Sequence, residues 1–547
     1  MSLLRITARV LACTILAGCT RVGTAGDTGA GGGRQSGTRP HVLRVGFQVE
    51  PNTLDPLLGA NTTEDNINHF MFDNLVSVDG KGNEVPMLAA VVPTLQNGGI
   101  SKDGLTITYH LRPGILWSDG VPLTSKDVKF SWSAVLNPNN NVISQTGYSL
   151  VASVDTPNPA TVVFHMKQRF SPAVNTIFGE SDTPYEVVPE HVLGKAHDIN
   201  NVPFNSDPVG SGPFRLKEWV RGDHITLIPN DRYFLGKPKL TSIVLRFIPD
   251  ENTEINALRT HDIDWQFEAS PQEYNELKSI AGISLVLQPR NQYERIQMNT
   301  EHWPLGDVRV RQAIAYALDR PKLVQNLTGG SAVAADQDHP PFMWAHSSDV
   351  TRYAYDPAGA KALLRAAGFT PGAGGVLEKN GQKLVLSIAY NTSNKTRRDA
   401  VIQVQSMLAA VGIEVQPKGY QGALLFAAMG QGGILMSGRF DLAWNGWVAG
   451  ADPDQSSIFL CSAQPPHGNN QTHYCNSEVD AAEKTALDNF DTPTRKKAYA
   501  KLEAILTRDV PELPEWWPRQ IQPVNPDFKN FSPNPVTETW NSYTWDI

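Results

Sequence analysis

The chain lacks the features that would make it an integral membrane protein or a nucleic-acid binder. No run of 18 or more apolar residues follows the first twenty positions, so no later segment is long enough to cross a bilayer as a helix. There is no basic excess: 47 Lys and Arg stand against 55 Asp and Glu, a net charge of −8, which excludes the electrostatic footprint of a nucleic-acid partner. Neither His-Glu-x-x-His nor Gly-x-Ser-x-Gly occurs, which removes two common hydrolase signatures. Nor is there a Gly-x-x-x-x-Gly-Lys loop for nucleotide phosphates, so any work driven by ATP must be done by another chain. Cysteine is scarce, at four in 547 residues.

The N-terminus describes export. Arg5 and Arg9 precede a short apolar run, Val10 to Ala17, that ends in Leu16-Ala17-Gly18-Cys19. A basic start, a brief apolar core and small residues are the parts of a signal peptide. The ending resembles the lipobox of bacterial lipoproteins. That resemblance implies removal of residues 1–18, a lipid on Cys19 and attachment to the outer face of a cell membrane. Thr20 to His41 has no apolar periodicity and includes Gly31-Gly32-Gly33. Such a segment buries too little to fold and would act as a tether, with ends about 25 Å apart on average. Cys13 leaves with the signal and Cys19 takes the lipid. Cys461 and Cys475 remain, and in an oxidising compartment they are expected to pair. Zinc held by Cys461, His467, His473 and Cys475 is the competing reading, although the spacing is not that of a usual zinc site.

Past the tether the chain is too long for one core, and its pattern is mixed α/β. Leu43 to Val49 alternates as a half-buried strand. So does Leu105 to Leu111, after which Thr124-Ser125-Lys126-Asp127 opens a helix as a capping box. Asp307 and Asp356 read as N-caps, the second with Pro357 at the first helical position and Gly368 past the end. Lys383–Tyr390, the helix around Val401, Val404 and Leu408, and Ile413–Val415 form a strand–helix–strand unit, which predicts parallel pairing.

Several segments, in order, resemble bacterial solute-binding family 5, the peptide-, dipeptide- and nickel-binding proteins of ATP-driven importers. They are Gly104 to Thr124 with Lys126-Asp127-Val128; Gly210-Ser211-Gly212-Pro213-Phe214 with Pro229 to Phe234; and Asn299 with Asp307 to Ile314 and Asp319-Arg320. Asn445-Gly446-Trp447 through Asp454, and Cys461 through Asp480, complete the set. The resemblance implies an α/β, two-lobed clamshell of the periplasmic-binding-protein type (type II). Lobe I would span 43–291, with an inserted subdomain at about 80–205. Lobe II would span 292–522, and 523–547 would return to lobe I. It further implies a monomeric receptor, not an enzyme, that takes no cofactor or metal. Such a receptor would pass an oligopeptide or dipeptide to a permease and its ATPase. Haem or a nickel chelate is the alternative cargo.

The candidate binding segment is Asn445, Gly446, Trp447, Val448, Ala449 and Gly450. A strand end with small residues exposes main chain to which an extended ligand can add, and Trp447 offers a flat apolar face. In dipeptide- and oligopeptide-binding relatives an aspartate near this point grips the ligand's ammonium. Here Gly450 stands in its place, or Ala449 if a gap is allowed, leaving Asp452 or Asp454 as a substitute. Glu50, Asn52, Thr53, Tyr148 and Tyr293 complete the candidate cleft residues.

Overall fold

The structure, a computed structural model, describes residues 35, 37–59 and 61–547. The expected signal peptide, Cys19 and most of the tether lie outside the described residues. The strands that matter below are, in chain order, β1 (Val42–Phe47), β2 (Thr106–His110), β3 (Val151–Asn158), β4 (Thr161–Met166), β5 (Phe214–Val220), β6 (His224–Pro229), β7 (Ser242–Phe247) and β8 (Trp265–Gln266). They continue with β9 (Ser284–Pro289), β10 (Gln292–Met298), β11 (Val333–Ala334), β12 (Val385–Asn391), β13 (Glu414–Tyr420), β14 (Leu442–Val448), β15 (Glu512–Trp517) and β16 (Arg519–Val524). The helices that matter below are α1 (Thr62–Asn68), α2 (Ser125–Leu136), α3 (Val308–Ala317), α4 (Pro357–Ala366), α5 (Lys395–Ala409), α6 (Ser477–Asp488) and α7 (Thr492–Asp509).

Local signals decide most helix starts. Thr124 and Asp127 close a reciprocal capping box on α2, and Asp307 caps α3. Asp356 accepts from the N–H groups of Ala358 and Gly359 to cap α4. Each such cap satisfies donors that the first turn leaves orphaned. Gly412, at φ +89°, takes the left-handed turn that ends α5 and starts β13.

Two large sheets organise the chain. The first has seven strands in the order β9-β16-β8-β1-β7-β6-β5, and the second has six in the order β11-β15-β10-β14-β12-β13. β12 and β13 pair in parallel across α5, the expected strand–helix–strand unit. A separate three-stranded sheet, β2-β4-β3, packs with α2. It shares one apolar core with the seven-stranded sheet, through Tyr109, Trp117, Phe164, Trp265 and Trp545. The six-stranded sheet has its own core around Ile296, Trp444 and Trp516. Each large sheet thus buries its apolar side chains in a core of its own.

The chain passes between these sheets at two narrow points. β9 ends at Pro289 and β10 begins at Gln292, leaving Arg290 and Asn291 between them. β15 ends at Trp517 and β16 begins at Arg519, with Pro518 alone in between. Proline has no N–H to give a ladder, so pairing stops there and resumes in the other sheet. This second passage lies at Pro518, where sequence reasoning put it near Gln522.

Cys461 and Cys475 are joined as a disulfide across 14 positions. Bonded sulfurs cannot serve as two zinc ligands, so the zinc alternative is overturned at this loop. Closing a loop of this length constrains the unfolded chain. Replacing both cysteines with serine is expected to lower stability by about 3 kcal/mol in the chain-entropy model, read as a lower denaturation midpoint at unchanged slope.

Candidate functional site

β14 carries the predicted segment through the middle of the six-stranded sheet. On one side it pairs with β10 along its whole length, from Leu442 opposite Met298 to Val448 opposite Gln292. On the other side, pairing with β12 runs from Leu442 to Trp444 and ends there. From Asn445 onward, one strand edge therefore has no ladder partner, so main chain is free on one side only. Alternation sets the two tryptophans on opposite faces. Trp444 is buried in the core, with its indole N–H on Glu294 at 3.0 Å. Trp447 is half-buried, packed near Tyr293 and Trp517, with the Arg295 guanidinium 5.2 Å from its ring centre.

Two members of the segment have structural duties. Asn445 is buried; its side chain accepts from Arg295 at 3.0 Å and donates to Gln297 at 2.7 Å. Gly446 makes room for an ion pair: a Cβ there would stand 2.6 Å from Glu294 Oε1 and 2.8 Å from Arg397 Nη2. Arg397 holds Glu294 with two hydrogen bonds, of 2.7 and 2.9 Å.

Beyond β14 the chain walls a cavity of about 290 Å³, near the lower end of sizes that hold small ligands. Trp447, Ala449, Gly450, Asp452, Asp454, Ser456, Ser457 and Asn469 form one wall. Ile143, Ser144, Thr146, Asn175, Thr176 and Glu180 to Thr183 form the other. The walls touch at Gly450, where a Cβ would lie 2.9 Å from the main chain of Ser181 and Asp182. Next to it the N–H of Ala451 donates to the carbonyl of Glu180 at 2.8 Å.

The charge in this cavity is acidic and comes from both walls. Asp182 is solvent-accessible at the cavity, but the enclosing protein, with the Asp454 carboxylate nearby, raises its pKa to about 6. Burial raises Asp454 also. Asp452 is not available as the expected substitute. Arg495 takes both its oxygens, at 2.6 and 2.8 Å. Of the two substitutes the sequence offers, Asp454 does line the cavity; its neighbour Asp182 was missed because it lies on a segment far away in the chain.

The other predicted residues are elsewhere. Tyr148 and Tyr293 are both buried. The Tyr148 hydroxyl accepts from the N–H of Phe178, and the Tyr293 hydroxyl donates to Glu512. The expectation that they offer hydroxyls to the cleft is corrected: burial among rings and polar partners fixes both. Glu50 is corrected likewise, since its carboxylate accepts from the Trp219 indole and the Gly222 N–H. Asn52 and Thr53 line a different depression, with Asn141, Asn200 and Arg221; the Asn52 amide donates to Glu64.

Beneath the cavity lies a buried ionic network. His69, just past the end of α1, is 2.8 Å from Glu186 and 3.8 Å from Glu180. Burial alone would pull the imidazole down, but the Glu186 and Glu180 carboxylates outweigh it and push it up to about 10. Glu180 also accepts from Ser77 and from Thr537. This ties the cavity floor to the C-terminal segment.

Two sheets joined by two short passages, with a cavity walled from both sides, define a two-lobed solute-binding protein. The chain belongs to the bacterial extracellular solute-binding proteins of family 5: the family model described as Bacterial extracellular solute-binding proteins, family 5 Middle, matches residues 85–468. That is a family of transport binding proteins, not of enzymes. The oligopeptide-binding protein AppA of Bacillus subtilis is 28% identical over 509 residues, covering 92% of this chain and 91% of its own. The glutathione-binding protein GsiB of Salmonella typhi is 28% identical over 477 residues, covering 86% and 88%. Among solved structures, AppA of Bacillus subtilis in complex with a nonapeptide aligns with a TM-score of 0.76 at 27% identity, over 93% of this chain and 99% of that one. NikZ from Campylobacter jejuni in complex with Ni(L-His) aligns with a TM-score of 0.77 at 25% identity, over 93% and 100%.

Proposed function

We propose that this chain is the exported, lipid-anchored receptor of an ATP-driven importer, and that it captures peptides between its lobes for a permease. Lobe I would hold the seven-stranded sheet, the inserted subdomain and the C-terminal return; lobe II would hold the six-stranded sheet. The lipid on Cys19 would keep a monomeric receptor at the outer face of the membrane. The observation that carries the reading is the cavity, closed from both sides, with Asp182 and Asp454 as its acidic pair. The free edge of β14 would pair with ligand main chain, Trp447 would pack on a side chain, and the carboxylates would hold an ammonium. Two acidic groups facing one another are relieved by a cation between them, which gives the cavity a preference for an N-terminus or a basic side chain.

The test is a melting screen of the full chain against peptides of two to nine residues. A true ligand at a hundredfold excess over its dissociation constant stabilises by about 2.7 kcal/mol. N-acetylation of that peptide is expected to weaken it about tenfold or more. Binding should also fall with acid. Asp182 is ionised above pH 6 and protonated below it, so affinity should drop up to about tenfold per pH unit below 6. If no peptide shifts melting while haem or a nickel chelate does, the cargo assignment is wrong.

A further inference from the structure

Asp338, His339 and Glu503 come together away from the cavity, each buried to 5% exposure or less. Their three ligand atoms lie within 4.8 Å of one another. Asp338 and His339 sit on the loop after β11; Glu503 sits on α7. We propose that they form a buried divalent-cation site of the zinc class, which fastens the cleft-lining segment Pro453–Gln455 to α7.

The histidine tautomer carries the argument. His339 Nε2 is 3.1 Å from the carbonyl of Pro453, which can only accept, so Nε2 bears the hydrogen. In the neutral ring Nδ1 is then a bare lone pair. It lies 2.8 Å from Glu503 Oε1 and 3.9 Å from Asp338 Oδ1. Yet neither Nδ1 nor Asp338 Oδ1 makes a hydrogen bond among the described residues. Two buried, unpartnered lone-pair atoms beside a third atom, the Glu503 carboxylate oxygen that the Gln455 amide reaches at 3.5 Å, form an arrangement that ligands take round one cation. With metal–ligand bonds of about 2.0–2.2 Å, tetrahedral neighbours stand roughly 3.4 Å apart, and the two separations bracket that.

The surroundings agree. The Gln455 amide donates to the other oxygen of Asp338, and Pro453 orients His339, as second-shell partners do for metal ligands. The guanidinium of Arg320, which lines the adjoining cavity, is engaged by the carbonyls of Ala335, Pro514 and Tyr353. Among the described residues, only His339 is ion-paired with Asp338 or Glu503. The adjoining cavity, of about 20 Å³, has room for one water as a fourth ligand. One imidazole with two carboxylates suits Zn²⁺.

Untagged full chain is prepared in zinc-replete medium, and its metal is counted by mass spectrometry. One Zn²⁺ per chain is expected, with melting lowered by a chelator and restored by Zn²⁺ alone. Asp338→Asn and Glu503→Gln should weaken Zn²⁺ binding by tenfold or more. Wild-type chain that holds no stoichiometric ion at micromolar free Zn²⁺, and melts alike with or without chelator, would overturn the site in favour of a shared proton. Equal Zn²⁺ affinity in wild type and both variants would also overturn it, by placing the ion elsewhere. The wild-type measurements decide the matter even where a variant does not fold.

Discussion

Replacing His69 with glutamine should cost about 3–5 kcal/mol of folding stability, because it leaves buried carboxylates without their cation. Glu180 and Glu186 are both fully or almost fully removed from solvent, and His69 is the charged group between them. The effect should be specific in its pH dependence. The folded pKa of His69 is raised, to about 10 from 6.5. Its contribution is therefore fully present below pH 6.5 and is lost as pH rises towards 10. Glu186 is raised as well, first by burial, while the His69 charge beside it works against that rise. Urea unfolding of the wild type should show a midpoint falling between pH 7 and pH 10. The His69→Gln protein should start lower and lose less over that range. Parallel profiles for the two proteins would show that the imidazole carries no charge in the fold.

A second large effect should come from Gly450→Val, and it should fall on binding rather than folding. Gly450 touches the opposite wall through main chain, at Ser181 and Asp182. Main chain held by its own lobe cannot step aside, so an added side chain must prop the lobes apart. The Ala451 to Glu180 hydrogen bond, one residue on, would be lost with it. Because the contact is between lobes, each core is untouched, and unfolding should change by no more than about 0.5 kcal/mol. Affinity for a peptide ligand should drop about a hundredfold, since only the closed form holds ligand from both sides. Calorimetry gives the affinity, and X-ray scattering should show a larger radius with ligand present. Unchanged affinity would mean that closure at Gly450 plays no part in capture.

Features coded within one turn of chain were the legible ones. Thr124 with Asp127, Asp356 with Pro357, and Gly412 act on neighbours a few residues away, so composition and spacing suffice to place them. The opposite faces of Trp444 and Trp447 follow from the period of a strand. The cavity obeys no such rule. Asp182 meets Asp454 only because two segments far apart in the chain face one another across the cavity, and nothing near either residue announces it. Asp452 looked free because its partner, Arg495, is far along the chain on α7. Gly446 looked like an approach for ligand main chain; the Glu294–Arg397 pair that fills the space is visible only once β10 and α5 are in place. Glu50, Asn52 and Thr53 follow β1 as expected, but on a surface away from β14.

The two connections at Arg290-Asn291 and Pro518 have a mechanical consequence. Two pivots define a line, so the easiest motion left to the halves is rotation about it. Displacement then grows with lever arm. Asn291, at one pivot, accepts from the N–H of Ala449 at 2.8 Å and donates through its side chain to Gly450. That end of the cavity must travel least, and lining farther from the pivots must swing further. A molecule would enter at the fast-moving rim and be seated against the slow one.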